Sequence, residues 1–206
     1  MLKIWGRANS SNVKKVTWLC EEIGLPYQRI DAGLAFGVVN TPEYRKLNPN
    51  GLVPTIDDEG FILWESNAIV RYLAAKHAAG TLWPTDLKVR ADADRWMDWC
   101  STTLAPAFIP VFMQLVRTAP EKRKPQAIED GTKRTAEVLA RLDAALAGRN
   151  FVVGDQLSMA DIAFGGVVYL VNNVAFDRPK LANFDAWYAR ISARPAFRKA
   201  VAVPVA

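Results

Sequence analysis

Chemistry in this chain concentrates in three short stretches near its start. Glu65-Ser66 opens an apolar-periodic segment that includes Ala68, Ile69, Tyr72 and Leu73, so a carboxylate, a hydroxyl and the free N–H groups of a helix N-terminus meet at one point. The N–H groups and the helix dipole hold a carboxylate, and Glu65 holds an ammonium. The point therefore suits a zwitterionic peptide. Shortly before it, Val53-Pro54 stands at the mouth of a strand, where a proline is tolerated because no ladder donor is needed. An X-Pro bond takes the cis form at little cost, which here would turn the N–H and C=O of Val53 off the sheet. The third stretch, Arg7-Ala8-Asn9-Ser10-Ser11-Asn12, is a polar loop running into Val13, Val16, Leu19, Cys20 and Ile23 at helical spacing.

Other chemistries find little to use. His77 is the only histidine and falls near the end of a helix, with no Gly-x-Ser-x-Gly elbow and no second ligand, so neither a serine hydrolase nor a metal site is expected. The glycines form no dinucleotide or phosphate loop, and no nucleotide is expected. Cys20 and Cys100 lie far apart with no CxxC, and read as buried thiols of a cytoplasmic protein rather than a disulfide. The net charge of +5 is dispersed among acids rather than gathered in a stripe, which argues against nucleic-acid binding. No segment reads as a leader or a membrane span, so neither secretion nor membrane insertion is expected.

The elements that must position these residues follow from local chemistry. Residues 2–5 read as a strand, the segment after the polar loop as a helix closed by Gly24 and Pro26, and residues 27–31 as a second, parallel strand. Thr41-Pro42-Glu43 starts a short helix. Val53-Pro54-Thr55-Ile56 and Phe61-Ile62-Leu63-Trp64 read as a hairpin turning at Asp57-Asp58-Glu59-Gly60, and a helix runs on to about His77. The order β-α-β-α-β-β-α is that of a thioredoxin-like α/β domain, assigned to residues 1–79. Composition shifts to Gly80, Pro84 and small or polar residues over a linker at 80–87. Residues 88–206 read as an all-α helical-bundle domain. Its first helix carries Trp96, Trp99, Leu104 and Phe108, with bends expected at Pro106 and Pro110. A second carries Ile128, Ala136, Leu139, Leu142 and Leu146. A third starts at Ser158 with Asp161 three residues on, the pattern of a capping box, and two short helices, 184–192 and 196–201, follow.

The loop, the Val53-Pro54 hairpin and Glu65-Ser66 together resemble the glutathione-binding half of the cytosolic glutathione S-transferases, of a bacterial theta-like or phi-like, serine-type branch. The likeness covers nearly the whole chain, since the family carries an all-helical half behind its thioredoxin-like one. The resemblance implies glutathione as co-substrate without metal or nucleotide, a homodimer through the helices beginning near Glu65 and Asp86, and an apolar electrophile as second substrate. Ser10-Ser11-Asn12-Val13-Lys14-Lys15-Val16 is similar to the family's serine motif, with Ser10 as thiolate donor and Ser11 and Asn12 beside it. Leu52, Val53 and Pro54 would bind the cysteinyl part of the tripeptide, and Glu65 and Ser66 its γ-glutamyl end. Arg71 would serve the dimer interface and Asp98 reach the glutathione of a partner subunit. Phe108, Phe112, Met113, Val203 and Val205 would line the electrophile pocket. Ser158 and Asp161 resemble a structural folding box. Departures are instructive: no tyrosine or cysteine follows the first strand, and Leu52 stands where many relatives have glutamine. Ser10 with Asn12 is also similar to a branch that reduces glutathione disulfides, and a non-catalytic binding protein is a third reading.

Overall fold

The computed structural model describes residues 1–205. Four strands, β1 (Leu2–Trp5), β2 (Tyr27–Ile30), β3 (Thr55–Asp58) and β4 (Phe61–Trp64), form one sheet in the order β2-β1-β3-β4. β1 pairs in parallel with β2 and antiparallel with β3, which continues antiparallel to β4. Helices α1 (Ser11–Ile23), α2 (Pro42–Leu47) and α3 (Ser66–His77) complete the first half. The expected order of elements and the thioredoxin-like sheet are therefore present.

Local chemistry sets the boundaries. Ser10 caps α1, its Oγ accepting from the Val13 N–H at 3.4 Å, and Gly24 closes the helix at φ 66° with its N–H on the carbonyls of Cys20 and Glu21. Thr41 caps α2 through the Tyr44 N–H, with Pro42 in the first turn. The hairpin differs from the sequence reading: β3 starts at Thr55 rather than Val53 and runs on through Asp57 and Asp58. Glu59 and Gly60 alone make the turn, both at positive φ (56° and 94°), as a two-residue hairpin loop demands. Asp57 Oδ1 accepts the Gly60 N–H at 2.7 Å, and Asp58 is held in the strand by the Tyr72 hydroxyl (2.7 Å) and Lys76 Nζ (2.6 Å). The Val53–Pro54 peptide is cis. Ahead of it, Tyr44 Oη and Asn48 Nδ2 both donate to the Leu52 carbonyl, at 2.7 and 3.0 Å, and so pin the approach to the sheet.

The second half is helical. A continuous helical stretch of 31 residues, Leu87–Arg117, contains α4 (Leu87–Trp99) and α5 (Ala105–Phe112), separated by a widened, π-type stretch at Cys100–Leu104. The widening precedes Pro106, which has no N–H and crowds the carbonyl four residues back. Between Asp98 and Arg117 no side chain is charged. By length and composition this helix is long and apolar enough to cross a membrane, which corrects the expectation that no such run exists. Its apolarity serves two faces: Leu104, Ala107, Phe108 and Val111 are buried in the core, while Ile109 and Met113 are exposed. Then come α6 (Pro125–Leu146), α7 (Met159–Asn173), α8 (Ala182–Ser192) and α9 (Pro195–Ala200).

One core runs through both halves. Val13 to Cys20 of α1 are buried without interruption, because α1 lies between α3 and the pair α7 and α9. Lys14, fully buried, places its Nζ 4.2 Å from the centre of the Tyr169 ring, and burial pushes its ammonium down to about 8. On the far side of α7, the buried Asp161 gathers four donors: the N–H groups of Val152 (2.9 Å) and Ser158 (3.0 Å), Trp187 Nε1 (2.9 Å) and the Ser158 hydroxyl (3.3 Å). The capping box read from the sequence is thus part of a larger network that ties α8 and the loop before α7 to one carboxylate.

Asp161→Ala should destabilise the fold by about 3 kcal/mol or more, since it leaves several buried donors without an acceptor; denaturant unfolding measures it. Lys14→Met should raise the melting temperature at pH 7. Between pH 8 and 10.5 the folded wild type binds fewer protons at Lys14 than the unfolded chain, so wild-type stability rises with pH and the variant's advantage fades there. A difference independent of pH would contradict the burial cost assigned to Lys14.

Candidate active site

The N-termini of α1 and α3 open onto one cavity of about 690 Å³. From the loop after β1 come Arg7 and Asn9, from α1 Ser11, Asn12 and Lys15, and from the start of α3 Glu65, Ser66, Asn67 and Ala68. The facing wall is apolar, built by Ala105, Phe108, Ile109, Phe112 and Met113 of the long helix with Val167 and Leu170 of α7. One side of the cavity is therefore polar and rich in helix-terminal N–H groups. The other offers mainly aromatic and aliphatic surface, with Ser101 and Arg117 of the long helix also in the lining.

Each half of the polar side is fixed from behind. α1 lies so close to α7 that a Cβ on Gly166 would fall 2.1 Å from the Ser11 carbonyl oxygen, and one on Gly165 2.5 Å from the Trp18 ring. Only hydrogen at both positions allows this approach. At the other helix, Glu65 takes φ 73° and ψ 108°, a backbone conformation costing a non-glycine residue roughly 1–3 kcal/mol. That turn carries the chain from β4 straight into α3 and sets the Glu65 carboxylate in the cavity wall. A polar chain links the two helices: the Ser66 hydroxyl donates to Asn12 Oδ1 (3.3 Å), Lys15 Nζ donates to Ser66 Oγ (3.4 Å) and Asn67 Oδ1 (3.2 Å), and Asn67 Nδ2 donates to the Met97 carbonyl (3.0 Å) and Ser101 Oγ (3.1 Å).

Among the polar residues singled out from sequence, Ser11, Asn12, Glu65, Ser66, Arg71 and Asp98 line the cavity. Ser10 does not: it is 6% exposed and its oxygen is engaged by the Val13 N–H, although accepting that bond leaves its own proton to donate. Leu52, Val53 and Pro54 also stand outside the lining, with Leu52 exposed and Pro54 buried. Val53 is nonetheless close by, since a Cβ on Gly33 would touch both the Val53 methyls (3.6 Å) and the Arg7 guanidinium (3.3 Å). Phe108, Phe112 and Met113 form the apolar wall as expected, whereas Val203 and Val205 do not contribute and Val205 packs against the core. Arg71 is engaged within its own chain by Asp94 (2.6 Å) and Asp98 (2.7 Å) of α4.

Asn9 belongs to the polar loop already singled out, whereas Arg7 and Lys15 had no role assigned from the sequence. Arg7 Nε and Asn9 Oδ1 are buried without a hydrogen-bond partner. Burial and the neighbouring Arg117 both push the Arg7 guanidinium below its ordinary value. Lys15 was hidden because a lysine in an amphipathic pattern reads as solvent-facing. Cys100 also borders the cavity, but burial pushes its thiol up to about 11, against the pull of Lys15, and that of Cys20 to about 12. Both thiols stay protonated near neutrality and are poor nucleophiles.

The description "Glutathione S-transferase, N-terminal domain" matches residues 1–75, and "Glutathione S-transferase, C-terminal domain" matches residues 101–195. Glutathione S-transferase GstB of Escherichia coli strain K12 is 44% identical over 207 residues, covering 100% of both chains. The crystal structure of the theta class glutathione S-transferase from Xanthomonas axonopodis pv. citri with glutathione bound superposes with a TM-score of 0.96 at 45% identity, covering 100% of this chain and 99% of that one. A delta-class glutathione transferase from Nilaparvata lugens superposes with a TM-score of 0.87 at 30% identity, covering 97% and 92%.

Gly166→Ala should lower stability by about 1–3 kcal/mol through overpacking against backbone that cannot rotate away, and displace the first turn of α1. Unfolding curves and a crystal structure of the variant test this. Unchanged stability with an unmoved Ser11 would contradict the close approach.

Proposed function

The chain belongs to the glutathione S-transferase family, and on that premise we propose that glutathione spans the N-termini of α1 and α3 while an apolar electrophile rests against Phe108, Ile109, Phe112 and Met113. The observation that carries this reading is the convergence of two helix N-termini and one apolar wall on a single cavity. At α3, Ser66 and the unpaired first-turn N–H groups take the γ-glutamyl carboxylate, and Glu65 takes the ammonium. Val53, beside the cavity mouth, pairs through its backbone with the cysteinyl part, in the segment Leu52-Val53-Pro54. The thiol then lies at the start of α1.

A free thiol titrates near 8.5, so at neutral pH any donor that prefers the thiolate raises the concentration of nucleophile. Ser10 and Ser11 supply hydroxyls there, Asn12 orients Ser66, and the N-terminal end of the α1 dipole adds to the stabilisation. The thiolate attacks the electrophilic carbon, a C–S bond forms as the leaving group departs with its electron pair, and the thiol proton goes to solvent. The polar side fixes the sulfur and the apolar side holds the electrophile against it, so much of the catalysis is positioning. The disulfide-reductase and non-catalytic readings are not favoured, since the full-length relatives carry the transferase name. The protein acts in the cytoplasm, consistent with its two free, buried cysteines, and as a homodimer through the faces of α3 and α4.

The double variant Ser10→Ala/Ser11→Ala should move the pH profile of kcat/KM towards the ordinary thiol value and cut turnover at pH 6.5 by roughly 10–100-fold, with a smaller loss at pH 9. The two single variants apportion the effect, and Ser10→Ala alone should also lose about 1 kcal/mol of stability with its cap. A double variant with an unshifted profile would sink the assignment of sulfur to the start of α1.

A further inference from the structure

Lys15 is a buried charge on the cavity wall whose hydrogen-bond partners, the Ser66 hydroxyl and the Asn67 amide oxygen, are both neutral. It lies in the second turn of α1 and is 6% exposed. Among the described residues no carboxylate pairs with it; Glu65 acts on it through its field alone, and burial pushes the ammonium below its ordinary value. An ammonium withdrawn from water without an anion is costly, and buried charges in folded proteins are paired. A structural tie between α1 and α3 would need only a neutral donor at this position.

Both acceptors of Lys15 stand on the first turn of α3. Ser66, Asn67 and Ala68 all line the cavity, and the helix's first intrahelical bond, from the Ile69 N–H to the Glu65 carbonyl at 2.9 Å, leaves their N–H groups without intrahelical acceptors. An anion bound to those groups and to Ser66 would lie beside Nζ, which carries three donors and spends two. Asn67 is held in turn by the Met97 carbonyl and Ser101, so the ammonium sits in a fixed frame rather than on a mobile stem.

We propose that Lys15 is the counter-charge for the α-carboxylate at the γ-glutamyl end of glutathione, a buried binding residue supplied by α1 to a subsite otherwise built by α3. The proposal rests on the reading of the site as a glutathione site. It gives α1 two duties, sulfur at its first turn and carboxylate at its second. The lysine selects for a peptide whose amino-terminal residue carries a free carboxylate on the same carbon as its ammonium, and against one lacking it.

The test is a cycle between one protein group and one ligand group, read by calorimetric titration. Wild type and Lys15→Met are each titrated with reduced glutathione and with 4-aminobutanoyl-cysteinyl-glycine, which keeps the amine and lacks only the α-carboxylate. Lys15→Met should weaken glutathione binding by roughly tenfold or more, while binding the analogue within about twofold of wild type. Lys15→Gln, which can still bond Ser66 and Asn67 without charge, should behave as Lys15→Met and serves where the methionine variant does not fold. An equal loss for both ligands, or no loss for either, overturns the role of Lys15 while leaving the glutathione site standing. Failure of the wild type to bind glutathione at all overturns the site itself and the proposal with it.

Discussion

The distance between α1 and α7 is the constraint on which the rest of the molecule depends. With hydrogen at Gly165 and Gly166, the backbone of Ser11 and the ring of Trp18 come within reach of the α7 backbone. Trp18 then meets Phe197 edge-on at 4.9 Å between ring centres, and its Nε1 donates to Glu22, which is in turn paired with Arg194. A helix that the sheet half uses as its cover becomes, by this contact, the central element of the helical half as well. The cavity exists because α1 is fixed on both sides. Its first turn faces a wall built by the long helix and α7, and neither wall nor turn can shift without disturbing the shared core.

Burying a helix on all sides forces its polar residues to find partners inside. Lys14 and Lys15 are neighbours in sequence, point to different surroundings and solve the problem differently. Lys14 lies over the Tyr169 ring, where the attraction is real but does not offset desolvation. Lys15 turns into the cavity wall and joins the chain of amides and hydroxyls that couples α1, α3 and α4. Asp161, across α7, shows the opposite arrangement: a carboxylate whose two oxygens collect four donors and so organise a corner of the fold. Asp161 thereby holds α8 and the loop before α7 in register.

Legibility followed the range of the determining interaction. Caps and turns are set within a few residues, and Ser10, Gly24, Thr41, Pro42 and the Ser158–Asp161 pair were readable as they stand. The succession of elements and the parallel pairing of the first two strands followed from their alternation. The start of β3 was misplaced because Asp57 and Asp58 carry turn chemistry by composition, while Tyr72 and Lys76, on a helix still to come, hold Asp58 in the strand. The long helix was not recognised as membrane-length because its tryptophans and prolines read as core landmarks rather than as part of an uncharged run. At the cavity, Ser11, Asn12, Glu65 and Ser66 were legible because helix starts announce themselves. Arg7 and Lys15 carry no such local mark: their importance comes from where long side chains end, and only the docking of α1 decides that.

The burial of α1 on all sides also dictates when the protein can finish folding. During synthesis the sheet half emerges first, yet the surface of α1 that meets α7 and α9 has no partner until nearly the entire chain has been made. Meanwhile the uncharged run ahead of Arg117 leaves the ribosome before the α6 and α7 residues that cover its core face. Contacts so distant along the chain carry a high loop-closure entropy and form late. Until α7 and α9 have been made, the face of α1 that they cover stays open, so the two halves can close on each other only late in synthesis.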